Sequence, residues 1–546
     1  MNRASSMTIP ERRAFRRVVA GLALLGGTGL FLGYANPFFQ LPPLALFFPA
    51  CLALFARVMP TAKGSFLAGW LCATLANSAC LYWLSIPMHD FGGLPWPLTL
   101  PCVAALGGYL GLYGALFSLI YRLFRERLPF AAALPLVLPL WTALETAKGT
   151  LFSGFPWVSL ATAFLPWEGW VQAASFVGAN ALSGLFALAA TAIAEAKPVR
   201  FGFSPVNPPR ARRFFCFACA LLPLLCVYAA RFAPALPEGR AVTVGLVQGN
   251  VNQNQKWEPA YQAATLSRYL TLSGELMNPA PGHPHEPPDL LVWPETSLPF
   301  YLETNPVLGA RIADFSLRHG VPLVFGAPGK DAREERSGYY NRLWLQTPGS
   351  EKHQSYDKTH LVPFGEYVPL NIPLPFIEYL MQGLEFIPGE SRAPLVAGDL
   401  ALGALICYEA IFPELAQERV AQGANILVNA SNDAWFGRSA APVQHLQLTA
   451  MRAIEQGRYI LRATNTGISA VISPRGAITA HGSLFRAEAL VGKARLVSGT
   501  TVYHRTAPFT TWGSALLALL GLGCCRARRP GENTRSPATD KKIEKE

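Results

Sequence analysis

Between Val18 and Ala56 the chain runs 39 residues without a Lys, Arg, Asp or Glu. About 20 helical residues cross a bilayer, so this run is expected to hold two passes with a turn near Asn36-Pro37. Further apolar stretches follow at 64–88, 97–121, 128–146, 169–194, 214–230 and 507–525. The expectation is eight transmembrane helices, seven within residues 1–235 and one at 507–525. A buried helix of a soluble protein imitates any one of these, but not seven in succession. Only 15% of the 546 residues are charged, against about a quarter in soluble domains. A wholly aqueous protein is therefore excluded, and so is general disorder. The apolar pattern continues for nearly 200 residues, which argues against reading the first stretch as a cleaved signal peptide.

The cations set an orientation. Twenty-two Lys and Arg residues cluster at Arg3–Arg17, Arg57–Lys63, Arg122–Arg127, Lys197–Arg213 and Arg526–Lys545, always on one side of the expected spans. The short loops on the other side hold only Lys148. Positive loops stay inside, so both termini, including the tail 526–546, are expected in the cytoplasm. The segment 240–505 then faces outward. From Arg231 to Pro508 there are 23 Lys and Arg against 24 Asp and Glu, so the formal charge of +12 belongs to the inner loops and tail. It reports topology and does not point to a nucleic-acid partner.

Nine of ten cysteines lie in apolar spans or at the inner end of the last one, where they read as small apolar filler. Cys216 and Cys219 have CxxC spacing, but no His or acidic residue accompanies them, so no zinc site is expected. Cys407 is the one cysteine of the outer segment, and it is either buried and inert or a nucleophile.

The texture of that segment alternates. Strands are expected at 241–250, 290–295, 322–328, 342–348, 400–407 and 424–431, and helices at 258–277, 306–319, 413–422 and 443–458. This is the pattern of a layered α/β domain. Glu295 ends a strand in LVWPETSLP, Lys358 lies in YDKTHLVPFGEYVP, and Cys407 closes ALGALIC before a helix opened by Pro413. Taken singly, these read as a solvated carboxylate, a surface amine and an inert thiol. Taken together, they supply what thiol chemistry requires: a base, a cation for an acyl oxyanion, and a nucleophile. No GxSxG, HExxH, P-loop or strand-embedded GxGxxG competes. His283 and His285 form HPH in a Pro-rich loop, and His360 reads as a surface residue.

At these residues the chain resembles the nitrilase superfamily. VWPET, YDKTHLVPFGEY and ICYE match its Glu-Lys-Cys triad in order. The expected spans before and after the domain are similar to its membrane-embedded branch, the bacterial apolipoprotein N-acyltransferases, as are VQGNVNQNQKW, NASNDAWFG and MRAIEQGRYILRATNTGISAVI. The resemblance implies an extracytoplasmic nitrilase-like αββα sandwich between membrane helices. It implies that Cys407 is the nucleophile, Glu295 the general base and Lys358 the oxyanion cation, with the Tyr408 N–H as a second donor. Glu366 would position the triad, Tyr408 and Glu409 would border the pocket, and Trp257 and Trp435 would flank the substrate entrance. The implied donor is a phospholipid, with phosphatidylethanolamine expected, and the implied acceptor is the α-amine of a diacylglyceryl-cysteine lipoprotein. The implied location is the bacterial inner membrane, with the catalytic domain in the periplasm, and no cofactor or metal is implied. Residues 371–389, apolar and between Lys358 and Cys407, read as a lid touching lipid or as a core insertion. The alternatives are a membrane-anchored amidase using the same triad and a transporter with a degenerate outer domain. The number of spans disfavours the first, and the placement of Glu145, Glu168 and Glu195 toward span ends disfavours the second.

Overall fold

The long uncharged run turns on one side chain. Asn36 accepts hydrogen bonds from the backbone N–H of Phe38 and Phe39 and donates to the carbonyls of Phe31, Tyr34 and Phe39. Such an Asn-centred turn ends a helix locally. It terminates Ile9–Gly33, and the chain restarts only at Pro42. The computed structural model describes residues 8–197, 208–232, 235–253, 255–279, 285–330, 338–369 and 386–527. Most of 371–389, part of the tail 526–546 and His283 lie outside the described residues. Two compact units are formed, one of Met1–Tyr82, Leu100–Ala233 and Arg505–Glu546, the other of Trp83–Thr99 and Pro234–His504.

Six described helices are long and apolar enough to cross a membrane: Ile9–Gly33, Trp96–Arg127, Phe130–Ser153, Ala174–Ala196, Arg210–Ala230 and Val502–Ala527. A seventh is obtained if Ala62–Cys80 and Tyr82–Asp90, bent by 59° at their break, form one span. The eighth expected span falls on Pro42–Val58, a shorter apolar helix. The reason is local: the Asn36 turn and Pro42-Pro43 consume the middle of the run before Arg57 ends it. Glu195, toward the end of Ala174–Ala196, gathers Arg125 at 2.6 Å, Arg212 at 2.5 Å, the Tyr121 hydroxyl at 3.1 Å and Arg57 at 3.9 Å. Four helices are thereby tied together at one buried anion.

The second unit is built on two six-stranded sheets. The first is ordered β12-β1-β2-β3-β4-β5, with β1 Glu238–Gln248, β2 Leu290–Val292, β3 Leu323–Lys330, β4 Tyr339–Gln346, β5 Gln354–Asp357 and β12 Glu488–Val497. The second is ordered β11-β10-β9-β8-β7-β6, with β6 Leu395–Ala397, β7 Leu400–Ile406, β8 Ile426–Ser431, β9 Ile460–Thr464, β10 Ala470–Ile472 and β11 Ile478–His481. The central strands β1-β2-β3 and β7-β8-β9 are parallel, and the outer ones run antiparallel.

Alternation along each strand makes the sandwich. Val242, Val244 and Leu246 of β1 meet Leu402, Ala404 and Ile406 of β7 and Val428 of β8 in one buried core. The opposite phase of the first sheet, including Leu291, Trp293, Leu323 and Phe325, packs on Leu266 and Tyr269 of helix Pro259–Met277 and Ile312 and Phe315 of helix Pro306–His319. On the second sheet, Gly403 of β7 lies against Arg419 of helix Pro413–Ala421, and helix Ala441–Gln456 follows β8. The layers are helix, sheet, sheet, helix, the expected αββα arrangement. The expected helices match within two residues. Strands β5, β6 and β9 to β12 were not expected, because they are short or carry their apolar residues in runs that also suit helices.

Candidate active site

Three strand ends supply the chemistry. After β2 the chain passes through Trp293, which stacks on Tyr269 at 5.1 Å between ring centroids and donates its indole N–H to Ser273 Oγ at 2.9 Å. That anchor is buried, and the next turn presents Glu295, only 7% exposed, with Thr296 at a positive φ of 47°. The turn docks on β3: Gly326 donates its N–H to the Pro294 carbonyl at 3.1 Å, and its own carbonyl accepts from Leu298 N–H and Ser297 Oγ–H at 3.0 Å each.

Lys358, 1% exposed, follows β5. Its ammonium pairs with Glu366 Oε2 at 2.8 Å and lies 3.9 Å from Glu295 Oε1. Glu366 is held in turn by the Val362 N–H at 2.7 Å. Asn341 of β4 joins both carboxylates, donating to Glu295 at 2.6 Å and Glu366 at 2.9 Å. Burial pushes the Glu295 carboxyl above its usual value, with Glu366 adding to the rise and Lys358 and Asn341 opposing it. For Lys358 burial favours the neutral amine, but Glu366, Glu295 and Cys407 outweigh it and raise it above an ordinary lysine. The pocket therefore holds a firmly protonated cation beside a carboxylate that binds a proton readily.

Cys407 occupies the corner after β7, where a 3₁₀ turn Cys407–Ile411 begins. Its φ is +50°, a conformation that costs a residue with a Cβ of order 1 to 3 kcal/mol and persists only where its surroundings dictate it. Those surroundings are polar and buried. The Cys407 carbonyl lies 3.1 Å from His445 Nε2 and 3.4 Å from Asn429 Nδ2. Behind them Asp433 accepts from Ser431 Oγ at 2.8 Å and Arg462 Nη2 at 2.7 Å, and sits 3.1 Å from His445 Nδ1. Burial and Arg462 lower His445 below the usual histidine value, while Asp433 and the Cys407 carbonyl oppose them. Burial and Glu295 push the Cys407 thiol up, and Lys358 pulls it down.

Glu366 lies against Lys358. Glu409 does not face open space. It is fully buried, and Oε1 accepts from Tyr356 O–H, Thr359 N–H and Oγ1–H and His360 N–H, while Oε2 accepts from Ile406 N–H. It clamps the lysine loop to the strand that delivers Cys407. Tyr408 is buried, 5.0 Å from the Phe412 ring and 5.9 Å from His360, and His360 is half-buried among these aromatics. Trp257 and Trp435 are 40% and 37% exposed. Trp435 packs on Phe91 at 4.7 Å, and Trp83 donates to Gln444 at 3.0 Å, so the 83–99 segment seats beside the Trp435 loop and helix Ala441–Gln456. Beyond 371–385, Phe386 N–H binds the Glu366 carbonyl and Gly389 N–H the Lys358 carbonyl.

Asn341, Asp433, His445 and Arg462 were missed from sequence. Asn341 had a signal: it shares the inward phase of β4 with Leu343 and Leu345, but the expected strand began at 342, three residues after β4 does. Asp433 lay in NASNDAWFG, without a hint of its partners.

Comparisons with known proteins agree on both units. Residues 28–192 match the family model described as apolipoprotein N-acyltransferase N-terminal domain, and residues 243–501 match carbon-nitrogen hydrolase. An apolipoprotein N-acyltransferase of Geobacter metallireducens is 35% identical over 94% of this chain and 97% of its own length. One from Nitrosomonas europaea is 34% identical over 93% and 96%. In structure the chain is similar to a nitrilase-superfamily amidase of Nesterenkonia AN1, with a TM-score of 0.37 and 19% identity, covering 51% of this chain and 100% of that one. A branch 10 nitrilase-superfamily member from Saccharomyces cerevisiae gives a TM-score of 0.38 and 20% identity, covering 50% and 97%. With near full-length relatives above 30% identity, this chain belongs to the apolipoprotein N-acyltransferase family.

Proposed function

We propose that Cys407, Glu295 and Lys358 transfer an acyl chain from a phospholipid, phosphatidylethanolamine in the first instance, to the α-amine of a diacylglyceryl-cysteine at a lipoprotein N-terminus. The observation that carries this reading is the left-handed corner at Cys407, whose thiol is raised by burial and Glu295 and lowered by Lys358. In the resting state the proton stays on sulfur. As sulfur attacks the ester carbonyl, Glu295 takes that proton, and the oxyanion forms against the Lys358 ammonium and the Tyr408 N–H. Collapse expels the lysophospholipid alkoxide, Glu295 returns the proton to it, and a thioester remains on Cys407. The acceptor amine then attacks the thioester carbonyl and loses a proton to Glu295. The thiolate leaves, is reprotonated, and the N-acylated lipoprotein departs, in ping-pong order.

Glu366 holds Lys358 in place, and Asn341 fixes the separation of the two carboxylates. Membrane embedding suits the substrates. Drawing a chain of sixteen carbons into water costs about 12 kcal/mol at roughly 0.8 kcal/mol per CH₂. The distribution of cations supports both termini in the cytoplasm, the catalytic unit in the periplasm and residence in the inner membrane.

The test is an intact-mass measurement of detergent-purified protein incubated with phosphatidylethanolamine and no acceptor, beside Cys407→Ala. The expected result is an acyl-sized gain on the wild type alone, removed by hydroxylamine and discharged to an N-acyl product by a diacylglyceryl peptide. Equal labelling of Cys407→Ala, or N-acylation by that variant, sinks the proposal.

A further inference from the structure

Lys256 is an unexplained cation. It lies in the loop after β1, one residue before Trp257, and it is 1% exposed. Its backbone N–H bonds to the Asn252 carbonyl at 3.0 Å, but its side-chain Nζ has no hydrogen-bond partner among the described residues. A buried ammonium is costly unless an opposite charge compensates it. The carboxylate whose field it feels is Glu295. The loop is not free to swing away. Asn465 bonds both the N–H and the carbonyl of Val251 at 2.9 Å, and Asn432 donates to Gln253 at 2.8 Å. Those asparagines follow β9 and β8, and β8 is the parallel neighbour of β7, after which Cys407 stands, as β1 is the parallel neighbour of β2, after which Glu295 stands.

The charges around Glu295 show what Lys256 adds. Glu295 faces Lys358 after β5, Glu366 from the following loop, Asn341 from β4, the Cys407 thiol after β7 and Lys256 after β1. Lys358 is saturated by Glu366 at 2.8 Å and stands at 3.9 Å from Glu295. Two carboxylates thus share one paired cation, and the second positive charge comes from Lys256. We infer that Lys256 is a positioning residue of the acyl-transfer site, whose buried ammonium keeps Glu295 ionised and ready to take the thiol proton. Burial, opposed by Glu295, brings the Lys256 amine down to about 8, so its charge is present on the acidic side of that value, where Glu295 is most in need of it.

This inference rests on the catalytic reading of Glu295, and the experiment separates the two. Single-turnover acylation by phosphatidylethanolamine is followed across pH for wild type, Lys256→Met and Lys256→Arg in detergent. The expected result is an acid limb displaced to higher pH in Lys256→Met, with a rate deficit about tenfold greater on the acidic flank than on the basic one. Lys256→Arg, which keeps the charge, is expected to retain the wild-type acid limb. A Lys256→Met profile parallel to the wild type, lower at every pH by one factor, overturns the inference. An arginine variant displaced like the methionine one overturns it as well. If Lys256→Met does not accumulate, Lys256→Gln is judged by the same criterion. Absence of any Cys407 acyl-enzyme in the wild type would instead remove the catalytic reading itself.

Discussion

Gly326 is a strand residue that decides where the candidate base stands, and one methyl group tests it. A Cβ built there sits 2.6 Å from the Pro294 carbonyl oxygen and 2.8 Å from Glu295 Cα, and closer still to Thr296 N. Ordinary contact begins at about 3.5 Å, so the 294–296 turn must retreat by about 1 Å. No side chain can swivel to make room, because every obstructing atom is backbone. Gly326 is not among the residues with positive φ, so Gly326→Ala adds bulk without forbidding the backbone. Misplacing a reacting group by about 1 Å costs about 100-fold in rate, about 2.7 kcal/mol of barrier, and overpacking costs roughly 1 to 3 kcal/mol of stability. The assay is the rate of acyl-enzyme formation by intact mass, with a thermal melt of the same sample. Gly274→Ala serves as the control, since its Cβ meets nothing within 4 Å on helix Pro259–Met277, and it is expected to acylate at the wild-type rate. A folded Gly326→Ala protein that acylates as fast as the wild type refutes the claim that this turn sets the position of Glu295.

Glu409→Ala leaves the N–H groups of Thr359, His360 and Ile406 without their acceptor, at about 1 to 3 kcal/mol for each buried donor, and should lower the melting temperature along with activity. Because burial raises Glu295 above its ordinary 4.5, the proton acceptor is present above the raised value and lost as pH falls through it, so the acid limb of kcat/KM should lie above 4.5. A limb at or below that value would show that Glu295 is not the titrating base. Glu195→Gln leaves Arg125 and Arg212 without their shared anion, and a loss of about 3 kcal/mol is expected in a detergent melt, at the lower end for a broken buried pair because both guanidiniums keep some solvent access. An unchanged melt would mean that the cluster is ornamental.

Glu295, Lys358, Cys407 and Glu366 were legible because each sits in a short contiguous motif beside a strand end, where residue type and neighbours carry the chemistry. Glu409 was legible as important but not as a clamp, since its partners Tyr356, Thr359 and His360 are about fifty residues away. Lys256 stands in VQGNVNQNQKW and passes for a loop lysine, because nothing in its neighbours announces burial. The count of eight spans is not reached by length and apolarity alone, because hydropathy sums over a window, and the Asn36 turn and the break near Leu81 divide the apolar run into shorter or bent helices among the described residues.

Composition and period are what the sequence alone determined. Long uncharged runs demand lipid, cations mark one side of it, and alternation with intervening helices makes a layered sandwich. These are properties of neighbours in the chain, summed locally. Only the tertiary structure decided that Asn341 bridges two carboxylates, that His445 and Asn429 hold the strained corner at Cys407, and that Lys256 is buried with its Nζ unbonded among the described residues. Each of those depends on strands that are distant in sequence and adjacent in a sheet, where burial converts ordinary side chains into charges that must find one another.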